Sequence, residues 1–257
     1  MSARGARLSA TQPAYVLHHY DWSESSLVLD LFTREQGRLA VVAKGAKRPY
    51  SQLRSVLLPF QRLQVALSKP QRSEDGQTEV QTLRSAEWIG GQTLPAGAAL
   101  FSGYYLNELL LKLLMRHDPH PQLFDAYAEA LPALHLSDEA QTQAALRAFE
   151  LRLLRETGVL PDLSVITLTQ APLQAERRYA LSAEAGVHAS PQGGFDAAAL
   201  LGLEAALLHG SVAALRQACQ NALSPLKPAL RSLLHNQLGH KPLRTRAVML
   251  EVQKLID

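Results

Sequence analysis

The strongest constraint on this chain is a change in its hydrophobic rhythm near residue 95. Before it, apolar side chains come in short β-branched and aromatic runs: Ala14-Tyr-Val-Leu-His-His-Tyr20, Leu27-Val-Leu-Asp-Leu-Phe-Thr33, Arg38-Leu-Ala-Val-Val-Ala-Lys44, Arg62-Leu-Gln-Val-Ala-Leu67 and Thr78 to Trp88. Turn-prone residues separate them, among them Asp21-Trp-Ser-Glu-Ser-Ser26 and Arg34-Glu-Gln-Gly37, the latter reading as a hairpin. Five short strands with a long connection between the third and fourth fit a small closed barrel of the OB type. An SH3-like barrel or an open meander fits the strand count as well.

After Pro95 the apolar residues fall at helical spacing. Leu106, Leu109, Leu110, Leu113 and Leu114 line one such segment, Ala98 to Arg116, which Pro119 and Pro121 end. Further helices are predicted over 122–134, 139–157, 196–208, 211–223, 228–238 and 242–255. Between the third and fourth of these helical segments, Pro161, Pro172, Pro191 and Gly193-Gly194 punctuate two β-prone pieces, 178–182 and 187–190, predicting a two-strand insert. The expected class is therefore α+β. Residues 1–90 are expected to form a small β domain, for which the OB-type barrel is one fit, and 91–257 a helical domain with a cysteine-free insert at about 159–195.

Several classes are excluded at this stage. No run of 18 apolar residues exists, so no membrane span is expected. The start, MSARGARLSATQ, lacks the apolar core of a signal peptide, which predicts a cytosolic product. The single cysteine, Cys219, forbids an internal disulfide and any Cys-rich zinc site. His117 and His120 have no visible third ligand, and His18 and His19 point to opposite faces of a strand. No Gly-x-Ser-x-Gly elbow and no His-Glu-x-x-His pattern occurs, so neither a metal cofactor nor catalysis is expected. Asp21, Glu24 and Asp30 could lie near one another, although such carboxylates usually cap turns.

Charge is the informative remainder. Residues 1–90 carry 12 basic and 8 acidic side chains, 91–210 carry 7 and 13, and 211–257 carry 7 and 2. Within 34–72, nine cations face Glu35 alone. Such an excess is the footprint of a polyanion site, or else of a solvated basic surface. Its sharpest part is Val42-Ala-Lys-Gly-Ala-Lys-Arg48, where Gly45 allows close backbone approach among Lys44, Lys47 and Arg48. Arg34, Arg38 and Arg54 extend the set. A second cluster, Lys241, Arg244 and Arg246, surrounds the start of the last helix and would form an anion site with that helix N-terminus, unless its arginines pair with the acidic middle of the chain. Tyr20, Trp22 and Tyr50 are the candidate stacking faces for bases, whereas Phe32 and Phe60 belong to apolar runs.

The ordered set Ala14-Tyr-Val-Leu-His18, Trp22-Ser-Glu-Ser-Ser26, Leu29-Asp-Leu-Phe-Thr33, Gly37-Arg38, Val42-Ala-Lys-Gly-Ala46, Leu58-Pro-Phe60, Thr82-Leu-Arg-Ser-Ala-Glu87, Ser102-Gly-Tyr-Tyr-Leu-Asn-Glu-Leu-Leu110, Leu146-Arg-Ala-Phe-Glu-Leu-Arg-Leu-Leu154 and Lys241-Pro-Leu-Arg-Thr-Arg246 resembles the bacterial DNA repair family RecO. The resemblance covers nearly the whole chain. It implies an OB barrel followed by a helical domain. It also implies a non-enzymatic, nucleoid-associated mediator that binds single- and double-stranded DNA, anneals complementary strands and helps load recombinase. The implied partners are RecR and the acidic C-terminal tail of single-strand-binding protein, whose terminal carboxylate would meet Arg147. Many members of the family carry two Cys-x-x-Cys pairs in the insert; this chain has none there. An RNA-binding OB module acting in RNA processing or translation is the alternative.

Overall fold

In the computed structural model of the protein, the described residues are 11–69, 80–90, 94–136, 138–239 and 243–256. They fall into two compact units. The first contains the described residues up to Leu94 together with Leu114–Pro121; the second contains Pro95–Leu113 and the described residues from Gln122 onward.

The first unit is a closed barrel. Its strands are β1 (Thr11–Asp21), β2 (Leu27–Thr33), β3 (Gly37–Ala43), β4 (Leu63–Leu67) and β5 (Gln81–Trp88), with a short helix α1 (Leu53–Val56) between β3 and β4. The order around the barrel is β1-β2-β3-β5-β4, closing through β1 with β4. All neighbours are antiparallel except β3 and β5. This closed order is that of an OB barrel and excludes the open meander. Alternation along β3 turns Leu39, Val41 and Ala43 inward, where they meet Val16, Leu29, Leu31, Leu63 and Val65. Phe32 and Phe60 are buried, as their apolar runs predict.

The β2–β3 hairpin turns as its sequence suggests. Gly37 adopts φ +70°, Thr33 donates its hydroxyl to the Gly37 carbonyl at 2.9 Å, and the Gln36 N–H donates to Thr33 Oγ1 at 3.2 Å. Glycine is also required here for space, since a Cβ would lie 1.9 Å from the Asp118 carbonyl oxygen. The segment 114–121 therefore runs against the hairpin. It explains why the preceding helix stops at Leu113 rather than Arg116: the His117 N–H donates to the Arg38 carbonyl at 3.0 Å instead.

The second unit contains α2 (Ala98–Leu113), α3 (Pro121–Ala133), α4 (Glu139–Glu156), α5 (Ala197–His209), α6 (Val212–Asn221), α7 (Leu223–Gln237) and α8 (Arg244–Ile256). Helix starts follow capping chemistry. Asp138 accepts from the Ala140 N–H at 2.9 Å, Asp196 from Ala199 at 2.7 Å, and Ser211 from Ala214 at 3.2 Å. Gly210 closes α5 at φ +78°. The insert carries three strands rather than two: β6 (Arg178–Ser182) pairs with β7 (Gly186–Ala189) on one side and β8 (Phe195–Asp196) on the other. Packing and hydrogen bonds hold it. Tyr179 is fully buried, its hydroxyl accepts the Gln174 N–H at 2.7 Å, and Thr167 Oγ1 accepts the Val187 N–H at 2.8 Å. No group of three metal-ligating side chains occurs among the described residues. No described helix is long and apolar enough to cross a membrane.

Candidate nucleic-acid interface

Strand direction sorts the barrel cations between two ends. The 21–26 turn, the end of β3 and the end of β5 share one end; the 34–36 turn and the start of β5 share the other. The six residue steps of β2 put about 20 Å between them. Lys44, Lys47 and Arg48 follow β3 at the first end, and Arg54 lies on α1 beyond them. Arg34 and Arg38 lie at the second end. The six residues are therefore not one patch.

At the first end two loops are tied together through Lys47. Its backbone N–H donates to the Ser25 carbonyl at 3.0 Å, and its ammonium lies 3.3 Å from the Ser23 carbonyl and 3.2 Å from Asp21 Oδ1. Gly45, at φ +73°, makes the turn, and the Arg48 N–H donates back to its carbonyl at 3.1 Å. With Lys47 engaged, the exposed cations around it are Lys44 and Arg48. Trp22 (69% exposed) and Tyr50 (99% exposed) stand on the same two loops. Exposed aromatic rings beside cations offer a base a stacking face and its phosphate a counter-charge. Sequence reasoning missed Trp88, which is exposed where β5 ends. No alternation signals it: its register partner Leu63 is buried and cross-strand partners share a face, so pairing alone would turn Trp88 inward.

At the second end Arg38 is committed to a carboxylate. Its Nε lies 3.1 Å from Asp30 Oδ1, and its Nη1 donates to the Leu114 carbonyl at 3.3 Å. Arg116 reaches the same Asp30 oxygen at 3.5 Å. Asp30 is thus held by two arginines and Asp21 by Lys47, while Glu24 is exposed. His120 lies 3.3 Å from Asp118 Oδ2.

In the second unit, the helix N-terminus expected to bind an external anion already holds an internal one. Glu108, on α2, accepts the Arg244 N–H at 2.9 Å, the Thr245 N–H at 3.0 Å and the Thr245 hydroxyl at 2.7 Å, and it pairs with Lys112 at 3.2 Å. Burial alone would raise this carboxyl. The Thr245, Arg244 and Lys112 hydrogen bonds outweigh it and hold the carboxyl below its ordinary value. The side chains of Arg244 and Arg246 remain exposed. Lys241 lies outside the described residues.

Arg147, on α4, is largely buried, with Nη1 2.8 Å from Oε2 of the fully buried Glu150. Tyr105 donates its hydroxyl to the other Glu150 oxygen at 2.7 Å. Burial raises the Glu150 carboxyl above its ordinary value, against the pull of Arg147 and Tyr105. Arg147 also lines a cavity of about 330 Å³ with Gln143, Leu223, Ser224, Lys227 and Pro228. Pro228, inside α7, offers no N–H to the Ser224 carbonyl. Cys219 is buried, which pushes its thiol up and leaves it unreactive.

Comparison with known proteins covers both units. The N-terminal family of recombination protein O matches residues 8–91, and the C-terminal family matches residues 95–247. The chain is 49% identical over 248 residues to the DNA repair protein RecO of Polaromonas sp. strain JS666, covering 95% of this chain and 97% of that protein. It is 51% identical over 255 residues to the DNA repair protein RecO of Variovorax paradoxus strain S110, covering 95% and 96%. With the RecO of Verminephrobacter eiseniae strain EF01-2 it shares 48% over 254 residues, covering 97% and 99%. An OB barrel with exposed cations and aromatics at one end, followed by a helical unit, and matched along its length by these relatives, belongs to the RecO family of DNA repair proteins.

Proposed function

We propose that this chain is a recombination mediator that makes and breaks no covalent bond. It holds single- and double-stranded DNA by the phosphate backbone, pairs complementary strands, and assists recombinase loading onto strands coated by single-strand-binding protein. The barrel domain, residues 1–90, would hold the strand. Lys44, Arg48 and Arg54 would supply the contact charge, and Lys47 would brace the two loops. Arg34 and Arg38 at the opposite end, and Lys241, Arg244 and Arg246 in the helical domain of residues 91–257, complete the proposed contacts.

The reading rests chiefly on the barrel end that presents Lys44 and Arg48 beside Trp22 and Tyr50. Neutralising the phosphates of two strands on one protein lowers their mutual repulsion and raises their local concentration. Pairing then runs downhill on stacking, at roughly 1.4 kcal/mol per step, without a nucleotide cofactor.

The partners proposed are RecR and the acidic tail of single-strand-binding protein. The cavity beside Arg147 supports the second, because an anchored guanidinium and the exposed Lys227 give a terminal carboxylate two cations. The test is annealing of complementary oligonucleotides coated with single-strand-binding protein, with and without that protein's last residues. Stimulated annealing that depends on those residues is expected. No affinity for oligonucleotides in dilute buffer would sink the reading, and preference for RNA of the same sequence would move it to RNA processing.

A further inference from the structure

The small sheet of the insert has one open edge. The Ser190 N–H donates to the Arg178 carbonyl at 3.0 Å, so Arg178, Ala180 and Ser182 bond towards β7, while Tyr179 and Leu181 turn their amides and carbonyls to the other side. Val187, the register partner of Leu181, turns outward as well: its N–H donates to Thr167 Oγ1 at 2.8 Å and its carbonyl accepts the Thr167 N–H at 2.9 Å. On the far edge of β6, β8 is in register only with Arg178 and Tyr179 among the described residues. Before β8 the chain leaves the ladder. Gly193 donates its N–H to the Ser190 carbonyl at 2.9 Å and accepts from Arg178 Nε at 3.2 Å, and a Cβ on it would lie 2.2 Å from the Tyr179 carbonyl oxygen. The Leu181 N–H and carbonyl therefore have no strand opposite them among the described residues, although Leu181 is only 6% exposed. Backbone groups so far from water are nearly always paired in a folded chain.

On that side lies a cavity of about 390 Å³, lined by Leu181, Phe195, Pro225, Pro228, Ala229 and Ser232 among others, with no charged residue among the described lining. Pro228 also lines the Arg147 cavity, and it is exposed, so it forms an apolar ridge between the two. Beside the ridge stand Lys227 and, one helical turn on, Arg231. Both are exposed and have no carboxylate partner among the described residues.

We infer that the acidic tail whose terminal carboxylate enters the Arg147 cavity continues over Pro228, seats an upstream apolar side chain in the second cavity and pairs its backbone with Leu181 as a short added strand. The inference rests on the proposed tail site and deepens it. Crossing the roughly 10 Å width of a helix takes about three extended residues at about 3.3 Å each. Acidic side chains in that crossing lie beside Lys227 and Arg231, which supplies their counter-charge. A strand edge next to an apolar cavity is the arrangement by which sheets take up extended peptides. A nucleic-acid strand would answer the cations but has no peptide group for Leu181.

The experiment is calorimetry and amide exchange on the full chain with two synthetic peptides bearing a free C-terminus. The long one ends in apolar, acidic, acidic and apolar residues and extends four residues further upstream; the short one keeps only the last three. The long peptide should bind the parent at least about tenfold more tightly, the gain expected from burying one large apolar side chain. Ser232→Trp, an exposed position at the cavity wall, should fill the cavity and erase that difference while the short peptide binds as before. Exchange of the Leu181 amide should slow with the long peptide and not with the short one. Equal affinities on the parent, a difference that survives Ser232→Trp, or unchanged Leu181 exchange would each overturn the inference. So would Leu181 protection by a short oligonucleotide instead of the long peptide. In any of these cases, short-peptide binding that is lost on amidation and in Arg147→Ala leaves the tail site at Arg147 standing. If neither peptide responds to amidation or to Arg147→Ala, the tail site falls and the inference falls with it.

Discussion

Arg38 Nε lies 3.1 Å from Asp30 Oδ1, and this contact joins β3 to β2 beneath the segment that carries Arg116. Asp30 is almost wholly buried, so its charge is tolerable only while both arginines remain. Asp30→Ala strands a partly buried guanidinium. It should cost about 3 kcal/mol, read as a lowered denaturant midpoint at unchanged m-value. Arg38→Ala should likewise destabilise the barrel more than it weakens binding at the Lys44 end.

Glu108 makes the docking of α8 depend on pH. Its folded-state carboxyl titrates below the ordinary carboxylate value, so the ionised form is favoured by folding. The associated stability is complete above the ordinary value and is lost as pH falls through the lowered one. Amide hydrogen exchange at Arg244 and Thr245 should therefore accelerate in acid before the core amides respond. Glu108→Ala should show that acceleration at neutral pH, with a loss of about 1 kcal/mol.

Phosphate contact at the Lys44 end predicts strong, sequence-blind salt dependence. With about five phosphates neutralised, log affinity for a single strand should fall against log salt with a slope of roughly −3.5. Lys44→Ala with Lys47→Ala should weaken all sequences alike and flatten that slope. Tyr50→Ala should cost about 1–3 kcal/mol of single-strand affinity and leave the slope unchanged, since stacking carries no counterion release. Filter binding or anisotropy across 50–300 mM salt reads both.

Arg147 is anchored by Glu150, and Glu150 by Tyr105, so a carboxylate entering the neighbouring cavity meets a guanidinium that has little freedom to lose. Calorimetry should find that an acidic peptide binds at least about tenfold more tightly with a free C-terminus than amidated. Arg147→Ala should abolish the difference. Arg147→Lys should restore only part of it, because an ammonium cannot serve Glu150 and a ligand with the same planar fork.

The five strands were legible as β-branched and aromatic runs between turn residues, with clear alternation along β3, but their closure was not, since it is the pairing of β1 with β4 that rules out an open meander. The four-residue α1 and the two-residue β8 were not, since neither is long enough to show a period. Prolines misplaced one boundary. Pro228 suggests a helix start, yet α7 begins at Leu223, because Pro225 falls in the first turn where its missing N–H costs nothing and Pro228 forfeits a single bond. The cationic residue types of the candidate site were visible, but their division between two barrel ends needs strand register. The Glu108 contact with Arg244 spans 136 positions, a separation no local pattern reports.

Among the described residues the closed sheet has one thin seam. There, between β3 and β5 only Val41–Gln81 and Val42–Thr82 face each other in the ladder, whereas every other neighbouring pair of strands is joined over a longer stretch. If the cylinder breathes, it unzips there first, and both freed borders would offer their amides and carbonyls to whatever extended polypeptide lies near. Faster deuterium uptake at Gln81 and Thr82 than at Leu29 or Leu31 would mark that opening.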